Sequence, residues 1–259
     1  MSTSRQSNPD KTQHHIHLAP GQVGRYVLIP GAPERVDAIA EYLDKPVQMA
    51  YHREYKSING TIDGQTVTVI SSGIGGPSTA IALEELAFCG ADTFIRVGTC
   101  GGMQPNVNKG DIIIATAAIR AEGTSREYMP LDFPAVANFD VTCALRDAAL
   151  HVGCTPHIGV VHCKDSFYGQ HEPQRMPVHD MLLQRWQAWK AAGCLASEME
   201  SAAMFTIASA LGVRAGTVLY CAGNQDMPTP QIRATTTLEH AIQTAIEAVR
   251  LLIQKDAQG

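Results

Sequence analysis

The chain has 259 residues, of which 45% are hydrophobic, so it can bury a sizeable core as one large domain or as two smaller ones. Its net charge of −5, without a strongly basic block, argues against a nucleic acid or an anionic membrane surface as a partner. No apolar run approaches the roughly 18 residues that span a bilayer. The seven scattered cysteines form no CxxC pair, which predicts reduced thiols and a cytoplasmic location.

Residues 1–15 are polar, lack the apolar core of a secretion signal and are predicted to form a disordered tail. From residue 16 to 259, strand-like runs alternate with helix-like patterns, and no linker divides them. The predicted strands include 26–31, 51–55, 66–70, 94–102, 111–117, 157–161 and 213–221. The predicted helices include one that ends at Cys89 and others over 141–152, 181–192, 201–211 and 238–253. This alternation predicts one α/β domain with a largely internal sheet.

The most informative stretch is Phe94–Gly102, an apolar, β-branched run with Arg96 near its start and a glycine-rich break at its end. Such a run is typical of a buried strand that ends in a tight loop. A buried arginine needs a counter-charge, because an unpaired charge is costly to remove from water. Two explanations fit this stretch equally well. Arg96 pairs with an internal carboxylate, or it meets an anionic ligand.

Glycine-rich breaks follow three of the predicted strands, at Pro30–Pro33, Gly73–Gly76 and Gly98–Gly102. Glycine lets backbone N–H groups approach an anion closely, although an ordinary turn is the favoured explanation for any one such loop. The GxGxxG pattern of dinucleotide-binding folds and the P-loop lysine are both missing. Arg35 follows the first break and Arg96 precedes the third. Together with Arg53, they could enclose one phosphate through charge-assisted hydrogen bonds.

Two further segments suggest the rest of a ligand. Glu198-Met199-Glu200-Ser201 lies between an apolar segment and an apolar helix, so at least one of its glutamates is predicted to be buried. A buried carboxylate needs hydrogen-bond donors, and the vicinal hydroxyls of a sugar supply two. Segment 164–177 combines aromatic residues with Gln, His and Arg. This composition suits stacking on a planar heterocycle and reading its edge, although an exposed polar loop explains it as well.

Together these motifs, which extend from His17 to the last helix, resemble the nucleoside phosphorylase family and specifically its uridine phosphorylase branch. The resemblance implies one domain in which helices flank a central mixed β-sheet. It implies phosphate ligands at Gly31, Arg35, Arg53, Arg96 and Thr99. It implies ribose contacts from His17, Thr99, Met199 and Glu200, and base contacts from Phe167 and Gln170. The catalytic residues among these are expected to be Arg96, Glu200 and Gln170.

The resemblance also implies an oligomer. His17 and Arg53 match residues that enter the site of a neighbouring subunit, so a dimer with shared active sites, within a hexamer, is expected. Glu54, Ile74 and Ser78 match a potassium site between subunits. No cofactor is expected beyond this ion, and inorganic phosphate is the expected co-substrate.

The base-binding segment departs from the family pattern. An arginine usually follows two residues after the glutamine that binds the base, but here Glu172 occupies that position. Either Arg175 folds back to replace it, or Lys164 and His171 share its role.

Two further departures concern the neighbouring loops. Cys100 occupies a position where a second threonine is common, and a thiol is the weaker hydrogen-bond donor. Purine-specific relatives carry a Ser-Asp pair where this chain has Ala222 and Gly223, and Asp226 follows three residues later. The absence of that pair favours a pyrimidine base.

The expected reaction is the phosphorolysis of uridine to uracil and ribose 1-phosphate, which needs positioning and electrostatics rather than a covalent nucleophile. The nearest alternatives are a purine nucleoside phosphorylase and a nucleosidase of the same fold, in which water replaces phosphate. A non-catalytic nucleoside-binding protein is an alternative of a different class. A thiol enzyme based on Cys100 is a further one, and it requires a histidine partner.

Overall fold

The computed structural model describes residues 11–226 and 238–258, which form an α/β fold with ten strands and eight α-helices. The strands are β1 (Tyr26–Pro30), β2 (Asp44–His52), β3 (Tyr55–Ile62), β4 (Gln65–Ile70), β5 (Thr93–Gly102), β6 (Ile112–Ala121), β7 (Ala135–Val136), β8 (His157–Lys164), β9 (Ala196–Glu198) and β10 (Arg214–Asn224). The helices are α1 (Pro33–Ala40), α2 (Gly76–Phe88), α3 (Thr124–Tyr128), α4 (Phe139–His151), α5 (Phe167–His171), α6 (His179–Ala191), α7 (Ser201–Leu211) and α8 (Leu238–Asp256).

Strand β5 is the centre of the sheet. On one side it pairs in parallel with β1 and then, at Gly101 and Gly102, antiparallel with β9. On the other side it pairs in parallel with β10 from Thr93 to Gly102. Strands β5, β10, β6, β8 and β9 thereby close into a ring, while β1, β4, β3 and β2 extend the sheet away from β5. The expected α/β fold with a central mixed sheet and flanking helices is confirmed.

Helices cover both faces of this sheet, so β5 is buried on both sides. Phe94 packs in the cluster that includes α2 and α7, whereas Ile95 and Val97 pack in the cluster that includes α4 and α8. This double burial explains why β5 reads as a continuous apolar run. Because side chains alternate along a strand, Arg96 points to the same face as Phe94. The arginine therefore faces the side of the sheet on which α7 begins.

The segment 51–55 forms a hairpin turn, so the prediction of one strand there is wrong. β2 ends at His52 and β3 begins at Tyr55, and Arg53 between them has a φ of 55°. A non-glycine residue in the left-handed region gives little sequence signal. The Asp63–Gly64 turn, with φ values of 49° and 77°, does give one, and its prediction is confirmed. Arg53 consequently lies at an exposed turn.

Both ends of the described chain pack against the domain. The backbone N–H groups of His15 and Ile16 donate to the Glu85 carboxylate of α2 at 3.0 and 2.9 Å, whereas residues 1–10 of the predicted tail lie outside the described residues. At the other end, α8 buries the predicted apolar stripe, including Ile242 and Val249. Among the helices of the described residues, none is long and apolar enough to cross a membrane.

Candidate active site

A cavity of about 840 Å³ opens where β1, β5, β8 and β10 end. The carboxyl ends of parallel strands are a common place for ligands, because the loops that follow the strands converge there. The cavity is lined by most of the residues that the sequence predicted for the site, namely Gly31, Arg35, Ile74, Arg96, Thr99, Lys164, Phe167, Gln170, His171, Met199 and Glu200. The fold thus brings together segments that are far apart in the chain.

Arg96 lies between two carboxylates in the wall of this cavity. Its Nε is 3.2 Å from Glu198 Oε2, and its Nη2 is 2.5 Å from Glu200 Oε2. Gly98, two residues along β5, leaves room for the guanidinium, because a Cβ there would lie 2.8 Å from Nη2. Burial disfavours the charged arginine, but the Glu200 and Glu198 carboxylates outweigh burial and raise the pKa of Arg96. Arg96 is therefore paired with internal carboxylates and stays charged.

The remaining nitrogen of the same guanidinium is in a different position. Nη1 of Arg96 is buried and has no hydrogen-bond partner among the described residues. A buried N–H without an acceptor is costly, because it loses its water and gains nothing in return. Arg96 lines the cavity, so an anion that reached Nη1 from there would supply the missing acceptor. Both explanations for this arginine therefore fit the structure.

Arg35 reaches the same part of the cavity from the first turn of α1. It is half-buried, and within residues 11–226 and 238–258 its side chain has no hydrogen-bond partner. Burial and the nearby charge of Arg96 lower the pKa of Arg35. Two guanidinium groups that repel each other across a cavity favour a bound anion, because the anion neutralises both.

Glu200 is held in place by the second of the glycine-rich breaks. The backbone N–H of Gly75 donates to Glu200 Oε1 at 2.6 Å, while Arg96 pairs with the other oxygen. Gly75 has a φ of 92°, which residues with a side chain rarely adopt. Burial raises the pKa of Glu200, and the charge of Arg96 partly offsets this. A carboxylate has roughly four acceptor positions, so Glu200 retains capacity for ligand hydroxyls.

Glu198 is a site residue to which the sequence reading gave no role. Its buried carboxylate accepts from the backbone N–H groups of Glu200 at 2.9 Å and Ser201 at 3.0 Å, in addition to its contact with Arg96. The first N–H groups of a helix have no acceptor within it, so Glu198 satisfies the start of α7 while it holds the arginine. An acidic residue just before an apolar helix was the available signal.

The opposite end of the cavity contains a chain of hydrogen-bonded side chains. Ser197 Oγ is 2.9 Å from Lys164 Nζ and 3.0 Å from His162 Nδ1. The same oxygen donates to Gln170 Oε1 at 2.5 Å. The Nε2 of Gln170 in turn donates to Gln225 Oε1 at 3.3 Å. Nothing in the sequence indicated that this hydrogen-bonded chain would include Ser197, His162 and Gln225, because each is an ordinary polar residue in its own segment.

Phe167 supplies an aromatic surface beside this chain. It begins α5, which Ser166 caps by accepting from the Gly169 N–H at 2.9 Å. The ring of His171 packs against Phe167 with centroids 4.2 Å apart. Burial and the charge of Lys164 lower the pKa of His171, so that ring is uncharged at neutral pH. The cavity can therefore hold an anion at Arg96, hydroxyl groups at Glu200 and a planar heterocycle near Phe167.

The sequence matches the family model of the Phosphorylase superfamily over residues 25–254. The chain belongs to this superfamily. It is similar to a uridine phosphorylase of Treponema pallidum, with 51% identity over 95% of this chain and 96% of the relative. It is also similar to a uridine phosphorylase of Thermococcus kodakarensis, with 43% identity over 100% of this chain and 93% of the relative. A guanosine phosphorylase of Halorubrum lacusprofundi is 38% identical over 93% of this chain and 99% of the relative. The resemblance that the motifs predict is confirmed.

Some predicted residues of this phosphorylase lie outside the cavity of their own chain. His17 and Arg53 are exposed, and neither is among the residues that line the cavity. Both have a φ of 55°, and the ring of His17 stacks on His52 with centroids 3.9 Å apart. Arg175 is also outside, where it forms an ion pair with Glu172. The structure therefore brings Lys164 and His171 to the cavity, but not Arg175.

Cys100 and Asp226 do not have the surroundings that the alternative functions require. Burial raises the pKa of the Cys100 thiol, which donates to Tyr220 O at 3.7 Å, so Cys100 itself is not a thiolate nucleophile at neutral pH. Asp226 forms an ion pair with Lys190 and lines an adjoining cavity of about 430 Å³, which shares Lys164, Gln170 and His171 with the first. Asp226 is not among the residues that line the cavity containing Glu200.

The arrangement of the two arginines predicts opposite effects on stability. Arg35→Ala should weaken the binding of phosphate by about tenfold or more, yet leave the Tm without phosphate unchanged or higher, because it removes repulsion from Arg96. Arg96→Met should also weaken the binding of phosphate. Unlike Arg35→Ala, it should lower the Tm, since breaking a buried ion pair costs about 3–5 kcal/mol. Thermal denaturation with and without phosphate measures both effects. Arg146→Ala, at a surface ion pair with Asp147, is the matched control. A phosphate-induced rise in Tm that survives Arg35→Ala would contradict the assignment.

Proposed function

We propose that the protein catalyses the reversible phosphorolysis of uridine, in which uridine and phosphate give uracil and ribose 1-phosphate. The observation that carries this proposal is the buried pair of Arg96 and Glu200, which joins an anion-binding end of the cavity to a carboxylate with acceptors for sugar hydroxyls. The relatives named uridine phosphorylase, which match nearly the whole chain, support it. The reaction would serve nucleoside salvage in the cytoplasm, where the seven cysteines, all free thiols, would stay reduced.

The chemistry needs no nucleophile from the protein. A phosphate oxygen, held by Arg35 and Arg96, attacks C1′ of the ribose, and the new C1′–O bond forms as the C1′–N1 bond breaks. The electron pair of the broken bond stays on N1 of the departing uracil, which then takes up a proton. Glu200 holds the ribose hydroxyls and lies close to a sugar that becomes positively charged. Further contacts to phosphate and ribose come from Gly31, Thr99 and Met199.

The base end of the cavity fits a pyrimidine. Phe167 offers a surface for stacking, and the Gln170 amide lies beside it to bind the edge of the ring. Ala222 and Gly223 provide no acid to protonate a purine, and Asp226 is held by Lys190. The similarity to a guanosine phosphorylase makes a purine nucleoside the second candidate.

The first prediction for this function is that uracil release requires phosphate. With saturating phosphate, uridine should be cleaved faster than inosine, and without phosphate the release of uracil should fall to background, because Arg35 and Arg96 are arranged for an anion and not for water. A chromatographic assay of the free bases measures the cleavage of each nucleoside, with and without phosphate. Inosine as the best substrate would replace the pyrimidine assignment. Phosphate-independent cleavage would indicate a nucleosidase, and binding of uridine without turnover would indicate a binding protein.

We further propose that the active site is shared within a dimer of a hexameric assembly. His17 and Arg53 lie away from the cavity of their own chain and are exposed, which suits residues that reach a neighbouring subunit. Arg53 would place a third guanidinium on the phosphate, and His17 would contact the ribose.

A subunit-mixing experiment tests this sharing. Arg35→Ala and Arg53→Ala should each abolish most activity when expressed alone. When the two variants are co-expressed, a mixed dimer contains one site with both arginines, so about a quarter of the wild-type activity should return if chains pair at random. Two differently tagged copies of Arg35→Ala serve as the control and should stay inactive. Failure of the mixed pair to recover activity would contradict a shared site.

We also propose a potassium ion between subunits. The residues present fit such an ion, because they offer oxygen donors and lie together. A Cβ at Gly73 would be 2.9 Å from Glu54 Cγ and 3.4 Å from Ser78 Oγ, and Ser78 Oγ lies 3.2 Å from the Ile74 carbonyl. Hard cations prefer such oxygens. Potassium chloride should therefore raise the Tm above that in tetramethylammonium chloride, and Glu54→Gln should remove the difference. An unchanged difference in that variant would reject the site.

A further inference from the structure

His17 and Arg53, which lie outside the cavity of their own chain, are on two turns that touch each other. The ring of His17 stacks on His52 with centroids 3.9 Å apart, and His52 directly precedes Arg53. Both turns contain a non-glycine residue with a φ of 55°, a backbone conformation that residues with a side chain rarely adopt. Such a conformation persists only where the surrounding contacts hold it. The hairpin between β2 and β3 holds Arg53, so the turn of His17 needs contacts of its own.

The turn of His17, residues 13–18, has no helix or strand to satisfy its backbone, so its hydrogen-bonding groups need other partners. It closes on itself, because the Gln13 N–H donates to Leu18 O at 2.7 Å and the His17 N–H donates to Gln13 O at 3.2 Å. Ile16 and Leu18, on either side of His17, are buried in the cluster that includes α2. These contacts close the turn and leave His17 itself exposed.

Glu85 of α2 attaches this turn to the domain. Its carboxylate accepts from three donors on two successive residues, namely the His15 N–H at 3.0 Å, His15 Nδ1 at 2.7 Å and the Ile16 N–H at 2.9 Å. A carboxylate has roughly four acceptor positions, so the turn uses most of them. The Glu85 side chain is only 13% exposed, and shielding from water strengthens hydrogen bonds to a carboxylate. Glu85 thus fixes the two residues that directly precede His17.

His52 holds the turn from its other side. Its Nδ1 donates to the His15 carbonyl at 3.0 Å, while its ring stacks on His17. The turn is therefore held between α2 and the β2–β3 hairpin. This arrangement places His17 beside Arg53, the residue that supplies the third guanidinium in the proposed shared site.

We propose that Glu85 is a positioning residue for the reaction in the neighbouring subunit, because it anchors the turn from which His17 reaches the ribose there. This inference rests on the proposed function and on the proposed sharing of the active site. Glu200 has acceptors for the vicinal 2′- and 3′-hydroxyls, so the 5′-hydroxyl is the one that remains for a group from outside the chain. A contact aids the reaction most when it is oriented in advance. Without Glu85, most of the benefit of His17 would be lost.

Substitutions of Glu85 test its effect on the ribose. Glu85→Ala should lower kcat/KM for uridine by about tenfold, because the turn loses its anchor. For 5′-deoxyuridine, which lacks the hydroxyl that His17 would contact, the loss should be much smaller. Glu85→Gln keeps one acceptor oxygen for the turn and should restore part of the activity. Steady-state kinetics with both nucleosides at saturating phosphate measures these effects.

Glu247→Ala is the matched control for these substitutions. Glu247 is likewise a glutamate on a helix, α8, and it is paired with a histidine, His151, at 3.4 Å. Its substitution should change kcat/KM for neither nucleoside. An equal loss for uridine and 5′-deoxyuridine in Glu85→Ala would overturn the proposal, because it would indicate a general effect on the fold.

Co-expression with Arg35→Ala shows in which subunit Glu85 acts. In a mixed dimer, the site of the Glu85→Ala chain contains its own Arg35 and receives the intact turn of the other chain. About a quarter of the wild-type activity should therefore return if chains pair at random, against about a twentieth if Glu85 serves the site of its own chain. Glu247→Ala co-expressed with Arg35→Ala should give about half, because half of the chains keep Arg35. Recovery of only about a twentieth would overturn the proposal.

Hydrogen exchange separates this inference from the proposed function, because it needs no turnover. In Glu85→Ala the backbone N–H groups of His15 and Ile16 lose their acceptor, so they should exchange about tenfold faster or more. The Asp63–Gly64 turn is the internal control and should not change. Mass spectrometry of peptides that cover residues 11–20 measures the exchange. Faster exchange there supports the anchor even if uridine is not cleaved. Unchanged exchange would overturn it, even if uridine is cleaved.

Discussion

The buried cluster of Arg96, Glu198 and Glu200 is the interaction on which both the fold and the site depend. Removing such charges from water costs several kcal/mol per ion, so the cluster is tolerated only if its remaining hydrogen-bonding groups are also satisfied. Glu198 accepts from the first N–H groups of α7, and Glu200 accepts from Gly75 in the loop before α2. The cluster therefore ties β5, β9 and two helix starts together. Its one unsatisfied atom, Arg96 Nη1, is itself buried, although Arg96 is among the residues that line the cavity.

The charges around the cavity explain why an anion belongs there. Arg35, Arg96 and Lys164 are three cations, and Glu198 and Glu200 are two carboxylates, which leaves a net charge of +1 in one chain. Inorganic phosphate is a mixture of its monoanion and dianion near neutral pH. With the proposed contribution of Arg53 from a neighbouring subunit, the positive charge would become +2 and would nearly match that of phosphate. Under the proposal of a shared site, a single chain would thus be an incomplete phosphate site in its charge as well as in its geometry.

The sequence predicted the elements that depend on a local residue pattern. It did not predict side-chain contacts between residues that are far apart in the chain. The strand around Arg96 and the Asp63–Gly64 turn have local signals, namely a β-branched apolar run and a turn dipeptide, and both are present in the structure. The contact between Gly75 and Glu200 spans 125 residues, and that between Arg96 and Glu198 spans 102. No periodicity encodes such pairs. For that reason the sequence left two explanations for Arg96, and only the assembled fold showed the two carboxylates, Glu198 and Glu200, that pair with it.

The two ends of the cavity differ in how far the type of the cationic side chain, arginine or lysine, determines the orientation of its hydrogen bonds to a ligand. Arginine recognises an anion through a rigid planar fork, so the orientation comes with the residue. Lysine is a point charge with rotatable donors, so a site that uses Lys164 at the base must obtain its orientation from elsewhere. The Ser197 hydroxyl connects this lysine to the base-site amide, because it lies 2.9 Å from Lys164 Nζ and 2.5 Å from Gln170 Oε1. In the proposed site a buried lysine thus takes the place of the usual arginine. The exchange also makes the base site more sensitive to pH, because burial lowers the pKa of Lys164.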